Sequence, residues 1–156
     1  MRRKLISYSA FCLLFLLLLF LGQEPGQAQV YSPTVGVVRS DEVNLLTRLV
    51  AAEAGNEPYS GQVGVASVVL NRAQHPAFPS TVAAIIYQPG AFESVSNGLI
   101  WRVSPGGTQR RAALDAVNGW DPTYGSIYFW NPAKPVSPWI WTRTIITQIG
   151  RHVFAR

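Results

Sequence analysis

Cysteine, histidine and acid are all scarce in this chain of 156 residues, which carries one Cys, two His and eight Asp plus Glu. The lone cysteine, Cys12, lies in an apolar run near the N-terminus, so the remainder has no thiol. That excludes a cysteine nucleophile and cysteine-ligated zinc. A domain of this length buries an adequate core without disulfides, so their absence does not argue against export. His75 and His152 are not paired at helical spacing, and no Gly-x-Ser-x-Gly elbow is present. A zinc amidase and a serine triad are therefore disfavoured, and His152 reads as a structural or surface histidine. No metal or cofactor is expected.

Basic residues outnumber acids, 13 to 8, but they are scattered, with only Arg110 and Arg111 adjacent beyond the first few residues. Nucleic acid is not an expected partner, since neither a basic patch nor a binding motif is present. Arg2, Arg3 and Lys4 precede an apolar run from Ile6 to Leu21, and Gly26 and Ala28 are small residues suited to positions −3 and −1 of a cleavage site. This pattern predicts an export signal over residues 1–28 that engages the export machinery. A retained N-terminal anchor is the alternative, and both place the rest of the chain outside the membrane. Removing residues 1–28 takes away three basic residues and Glu24, leaving 10 basic against 7 acidic residues, a balance of +3. That mild excess suits an anionic wall polymer and equally an ordinary soluble domain.

Residues 29–39 lack sustained periodicity and read as a linker, followed by a single domain over residues 40–156. Ser40 reads as an N-cap with Asp41 and Glu42 in the first turn, and Leu45, Leu46, Leu49 and Val50 recur at helical spacing up to a break at Gly55-Asn56. A second helix is predicted over Ser60 to Arg72, with strand as the alternative because of its valines, and Gly64 and Ala66 would admit a close neighbour. Ser80 reads as the cap of a short helix holding Val82, Ile85 and Ile86. Thr108 reads as the cap of a helix to Asn118, with Gly119 just past its end. The interval between these two reads as loop. Ile127 to Trp130 then reads as a strand, and Thr144 to Ile149 with His152 to Phe154 as a hairpin. The expected class is α+β, helix-dominated, with a small antiparallel sheet.

Glu53 lies seven residues after Leu46 and four after Leu49, so on a helix it projects from the apolar stripe. Burial disfavours a charged carboxylate, and an acid that keeps its proton can donate it to a leaving oxygen. Periodicity alone leaves open that Glu53 sits at a frayed helix end in water. Glu57, beyond the Gly55-Asn56 break, reads as a first-turn acid favouring the next helix, with a second cleft carboxylate as the alternative. Trp101, Trp120, Tyr124, Tyr128, Phe129, Trp130, Trp139 and Trp141 gather where helices give way to loops and strands. Two or three of these eight could line a groove for pyranose rings, although a core role is the default for each.

From Leu45 to Arg156 the sequence resembles the cell wall hydrolase family of the spore cortex-lytic (SleB) type. The matching segments include Ala52-Glu53-Ala54-Gly55-Asn56-Glu57-Pro58, Val68-Val69-Leu70-Asn71-Arg72, Gln88-Pro89-Gly90-Ala91-Phe92-Glu93-Ser94-Val95 with Asn97-Gly98, Phe129-Trp130-Asn131-Pro132-Ala133-Lys134, and Ile149-Gly150-Arg151-His152-Val153-Phe154. The resemblance implies a lysozyme-like fold related to lytic transglycosylases, acting on the bond between N-acetylmuramic acid and N-acetylglucosamine in peptidoglycan glycan strands. It implies Glu53 as the catalytic acid and Glu57, Asn71, Phe92, Asn97, Trp130, Asn131 and Trp139 as cleft residues. It also implies work in the cell wall, the spore cortex or at the outer face of the membrane, during germination or wall remodelling, with an accessory germination protein as a conceivable partner. Many members read Gly-Glu-Ala-Arg-Gly-Glu where this chain has Ala52 to Glu57. Both glutamates are retained, while the residues between them differ. A muramidase that uses water at the same site and a non-catalytic wall-binding module are the competing expectations.

Overall fold

The computed structural model describes residues 38–156. The predicted export signal and residues 29–37 of the predicted linker lie outside the described residues. Helix α1 spans Ser40–Ala54 and buries Val43, Leu46, Leu49, Val50 and Ala54 on one side. Its cap is Arg39 and not Ser40. Ser40 is already helical, and the Arg39 backbone N–H is satisfied by Glu42 Oε2 at 3.3 Å. That contact closes the first turn from within, so a hydroxyl cap is not needed.

Helix α2 spans Tyr59–Gln74, and every residue from Gly61 to Leu70 is buried. The valines that made a strand conceivable are accommodated because this helix is enclosed on all sides, by α1, by α6 (Gly107–Val117) and by the sheet. Tertiary packing outweighs the modest intrinsic preference of β-branched residues. Gly64 shows why a small residue is needed. A methyl group there would stand 2.9 Å from both Phe154 Cζ and Thr123 Cγ2, so the sheet and the following loop could not approach.

The short helix α3, Val82–Ile86, is capped by Thr81, whose Oγ1 accepts from Ala84 N at 3.2 Å, and not by Ser80 as the sequence suggested. Helix α6 likewise begins at Gly107, one residue before the expected cap Thr108, with Gln109 Oε1 accepting from Gly106 N at 2.9 Å. Gly119 sits just past its end with φ +98°, as predicted. The interval expected to be loop holds two single-turn helices, α4 (Glu93–Ser96) and α5 (Leu99–Arg102). Four residues make too short a segment for hydrophobic periodicity to register.

Strands β1 (Tyr128–Trp130), β2 (Ile145–Ile149) and β3 (His152–Ala155) form one antiparallel sheet in the order β1-β3-β2. A 3₁₀ turn over Pro138–Thr142 links β1 to β2. The central strand β3 is buried along its whole length, and Phe154 packs with Ala54, Val65 and Val68. Each such large apolar side chain contributes roughly 1.5–3 kcal/mol relative to exposure. Through Phe154 the end of α1, the middle of α2 and the sheet share one cluster. The result is the expected α+β, helix-dominated class.

Candidate active site

A cleft of about 480 Å³ opens where the end of α1 with the α1–α2 bend, the loop after α5, the first turn of α6, the segment after β1 and the β2–β3 turn converge. Its walls include Glu53, Glu57, Ser104, Gln109, Asn131, Lys134, Arg151 and His152. Five separate stretches of sequence meet here.

Glu53 occupies the last turn of α1. It is half-buried, where the expectation put it on the enclosed stripe with Leu46, Leu49 and Val50. The stripe runs out of core at this turn, so Glu53 stands where the apolar interior opens into the cleft. Glu53 Oε1 accepts from the backbone N–H of Ser94 in α4 at 3.3 Å. One carboxylate oxygen is thereby held by a fixed donor, and no cation is paired with the group among the described residues.

Glu57 does not serve as a helix cap. Helix α2 begins after Pro58 without a side-chain cap, and the Glu57 carboxylate turns away to Arg151, accepting from its backbone N–H at 2.9 Å and its Nε at 2.7 Å. The Glu57 side chain is almost wholly enclosed, whereas that of Arg151 is 62% exposed. Burial alone would raise the affinity of Glu57 for a proton, but the hydrogen bonds from Arg151, with the charges of His152 and Arg151, hold it below the usual carboxylate value. Glu57 is thus an ionised strut joining the α1–α2 bend to the β2–β3 turn. At the turn, Gly150 has φ +57° and lies against Glu57 and Pro58, so a side chain would be both strained and obstructed.

The other residues named by the resemblance divide. Asn131 lines the cleft, its Oδ1 accepting from Ala133 N at 2.9 Å to shape the turn that presents Lys134. Asn71 is directed elsewhere: its Nδ2 donates to Asp121 Oδ2 at 2.9 Å and to Ser126 O at 3.0 Å. Asp121 also receives Thr123 N, Thr123 Oγ1 and Gly125 N, and these bonds outweigh burial to keep its carboxyl below the ordinary value. Phe92 is a core residue beside Phe129, with the Arg72 guanidinium 5.4 Å from its ring. Burial lowers Arg72 to about 10, which leaves it charged at neutral pH among Phe78, Phe92 and Tyr128. Asn97 is exposed, and its Oδ1 accepts from Leu99 N at 2.9 Å just ahead of α5, whose cap is Gly98. Trp130 is buried against Ile140 and Val153, while Trp139 is half-exposed, edge-on to Tyr128.

None of the eight aromatic residues expected near sugar rings belongs to the lining of this cleft. Trp130 directly precedes Asn131 but is buried, and Trp101, two residues before Val103, is exposed under the Arg48 guanidinium at 5.6 Å, with the Val103 carbonyl accepting from Arg48. The cleft is instead polar, and sequence reasoning missed Ser104, Gln109 and Lys134. These residues come from a loop, the first turn of a helix and a β-turn, positions where single-residue patterns carry no signal. His152 was expected to be structural or superficial. It is buried and lines the cleft.

A family profile described as Cell Wall Hydrolase matches residues 56–155, so that Glu57 falls inside the matched segment and Glu53 just before it. The chain is 46% identical over 119 residues to the spore cortex-lytic enzyme of Bacillus subtilis (strain 168), covering 76% of this chain and 39% of that protein. It is 44% identical over 128 residues to the spore cortex-lytic enzyme of Oceanobacillus iheyensis, covering 80% and 46%. A shorter relative, the cell wall hydrolase CwlJ of Bacillus subtilis, is 30% identical over 129 residues, covering 77% of this chain and 89% of that protein. Among solved structures, the catalytic domain of Bacillus cereus SleB superimposes with a TM-score of 0.73 at 42% identity, over 79% of this chain and 95% of that one. The catalytic domain of the germination-specific lytic transglycosylase SleB from Bacillus anthracis gives 0.72 at 42%, over 78% and 98%. The chain spans less than half the length of the spore cortex-lytic relatives named here.

Proposed function

The chain belongs to the cell wall hydrolase family, and from that membership we propose that it is an exported lytic transglycosylase that cuts peptidoglycan between N-acetylmuramic acid and N-acetylglucosamine, with Glu53 as the catalytic acid. The carrying observation is the unequal state of the two cleft carboxylates. Glu57 is committed to Arg151, and Glu53 is left without a cation on the wall of the cleft. A site with one free acid suits a reaction in which the same group gives and then takes a proton.

In that reaction protonated Glu53 donates its proton to the glycosidic oxygen as the bond to C1 of the muramic acid residue breaks. The resulting carboxylate removes the proton of the C6 hydroxyl, whose oxygen bonds to C1 and closes a 1,6-anhydro ring. Glu53 is thereby returned to its acid form, and neither water nor a second carboxylate is consumed. This differs from two-carboxylate hydrolysis, where a second acid serves as base or nucleophile. Ser94 N–H, bound to one carboxylate oxygen, orients the group. Asn131, also in the cleft wall, is the cleft residue of the family set best placed to meet a sugar.

Two further proposals rest on different grounds. Residues 1–28 direct export, on their basic and apolar pattern, and the domain works in the cell wall or spore cortex, on the family membership. The deciding experiment is digestion of purified cortex and vegetative peptidoglycan by the full chain and by Glu53→Gln, with the fragments identified by mass. Anhydro-muramic ends released by the parent and lost in the variant support this reading, and reducing ends would replace it with a muramidase. A folded parent that binds glycan and releases nothing would point to a wall-binding module.

A further inference from the structure

His152 lines the cleft and has no part in the proposed reaction. It is the first residue of β3 and is 6% exposed. Its ring is wedged against Phe129 at 5.2 Å and Phe154 at 6.3 Å between centroids, both contacts edge-to-face. The ring therefore has little freedom. Nδ1 is enclosed and has no hydrogen-bond partner among the described residues, whereas Nε2 is not among the enclosed unpartnered atoms and is the nitrogen left accessible at the cleft. A buried polar atom without a partner, such as this Nδ1, is uncommon in native proteins.

Its charge state follows from its surroundings. Burial pushes the imidazole below its ordinary value, against the pull of the Glu57 carboxylate, while Arg151 and Lys134 push it further down. At neutral pH the ring is uncharged and carries a single N–H. Placing that hydrogen on Nε2 leaves an unpaired acceptor in the enclosed interior, which is less costly than an unpaired buried N–H. Nε2–H is then a fixed, uncharged donor left to meet a ligand.

Its neighbour supplies the complementary half. Strand β1 pairs with β3 as Tyr128 with Ala155, Phe129 with Phe154 and Trp130 with Val153. Continuing that register by one residue sets Asn131 beside His152, and both line the cleft. The Asn131 Oδ1 is engaged by Ala133 N, which leaves its amide N–H₂ free. Two uncharged donors thus stand side by side across the end of the sheet.

We propose that His152 and Asn131 form a subsite for the acetamido group of the glycan, with the carbonyl oxygen of that group as the acceptor. The inference rests on the glycan-cleaving reading of the same cleft and adds the chemical group by which a ring is recognised. A neutral donor pair suits an amide carbonyl, which bears no charge to attract a cation. The Phe129 and Phe154 edges fix the imidazole, so recognition requires no side-chain ordering on binding.

The test measures binding apart from cleavage. The full chain carrying Glu53→Gln is titrated with a soluble β-1,4-linked N-acetylglucosamine oligomer and with the glucose oligomer of equal length, which has a hydroxyl in place of each acetamido group. The acetylated oligomer is expected to bind about tenfold more tightly, the worth of a well-placed hydrogen bond in a partly desolvated site. Adding His152→Phe should reduce that preference to about threefold or less, with affinity for the glucose oligomer unchanged, and His152→Gln, which keeps an uncharged donor, should restore part of it. Absence of any preference in the parent overturns the subsite, as does a full preference in a folded His152→Phe protein or an equal loss for both oligomers. If His152→Phe fails to fold, Asn131→Leu and His152→Gln carry the same comparison. Digestion of peptidoglycan by the parent is scored separately. Cleavage without acetamido preference would remove the subsite and leave the reaction, whereas preference without cleavage would do the reverse.

Discussion

Glu53 and Glu57 stand four residues apart on the wall of one cleft, yet the fold treats them in opposite ways. Glu53 ends a helix, is half-buried and meets a single backbone N–H. Glu57 lies past the bend, is almost fully enclosed and is bound twice by Arg151, 94 residues further along the chain. The first is left without a cation among the described residues, as the proposed acid requires, and the second ties the α1–α2 bend to the β2–β3 turn. The same residue type is thus set in two different surroundings by what each carboxylate touches.

Substitutions can break this contrast, and the largest effect is expected at the free acid. Glu53→Gln should lower glycan cleavage by at least 10²–10⁴-fold, the usual worth of a general acid, with an unfolding midpoint in urea close to that of the parent. An equal loss in both measurements would show that Glu53 is structural after all. Gly150→Ala addresses the other carboxylate from its far side. With φ +57° and Pro58 Cδ 2.7 Å from the new methyl, it should cost about 2–3 kcal/mol in chemical denaturation and loosen the β2–β3 turn. Cleavage by the fraction that stays folded should fall less than with Glu53→Gln.

Glu57→Gln is the milder version of the same perturbation. The amide oxygen can still accept from Arg151 N, and the Arg151 guanidinium is exposed enough to be solvated, so a loss of about 1–2 kcal/mol is expected, with activity largely kept. Activity loss as deep as that of Glu53→Gln would make Glu57 a second catalytic acid and erase the contrast.

The smallest effect is the pH dependence of stability. Glu57 and Asp121 are both held below their ordinary values of 4.5 and 3.8, so the unfolded chain takes up those protons first. Their contribution is present above the ordinary values and is lost as pH falls through the lower folded ones. His152 is also depressed, from 6.5, in the company of Glu57, Arg151 and Lys134. The unfolded chain again binds its proton more readily, so stability is full above 6.5 and begins to decline below it. Thermal unfolding from pH 8 to pH 3 should therefore show a shallow decline beginning near 6.5 and a steeper one near 4. His152→Gln should remove the first and, by taking away one of the charges that hold Glu57 low, slightly reduce the second.

Much of the fold was legible in the residues. Leu46, Leu49 and Val50 repeat at helical spacing because one side of α1 faces a core, and the aromatic run at Tyr128 to Trp130 marks a strand. Gly64 pointed to a close approach, and Phe154 is what approaches. The caps were displaced by one residue at α1 and α3 and by two at α6, since Glu42, Thr81 and Gln109 compete on nearly equal terms with the hydroxyls nearby. The order of the sheet, with β3 in the middle, was not legible, because pairing depends on which edges meet after the chain collapses.

The same division applies to the site. Sequence by itself determined where the longer helices and the strands lie and which family the chain resembles, and through that resemblance it singled out Glu53. Those properties are local, set by periodicity over a few turns and by motifs short enough to read in one line. Only the tertiary structure decided that Glu57 is a strut, that Asn71 and Asp121 anchor a distant loop, that Phe92 and Trp130 are packed away from the cleft, and that His152 belongs to it. Each of these is fixed by a partner tens of residues away, and a carboxylate or imidazole acquires its role from the charges, donors and dry surfaces that such partners bring.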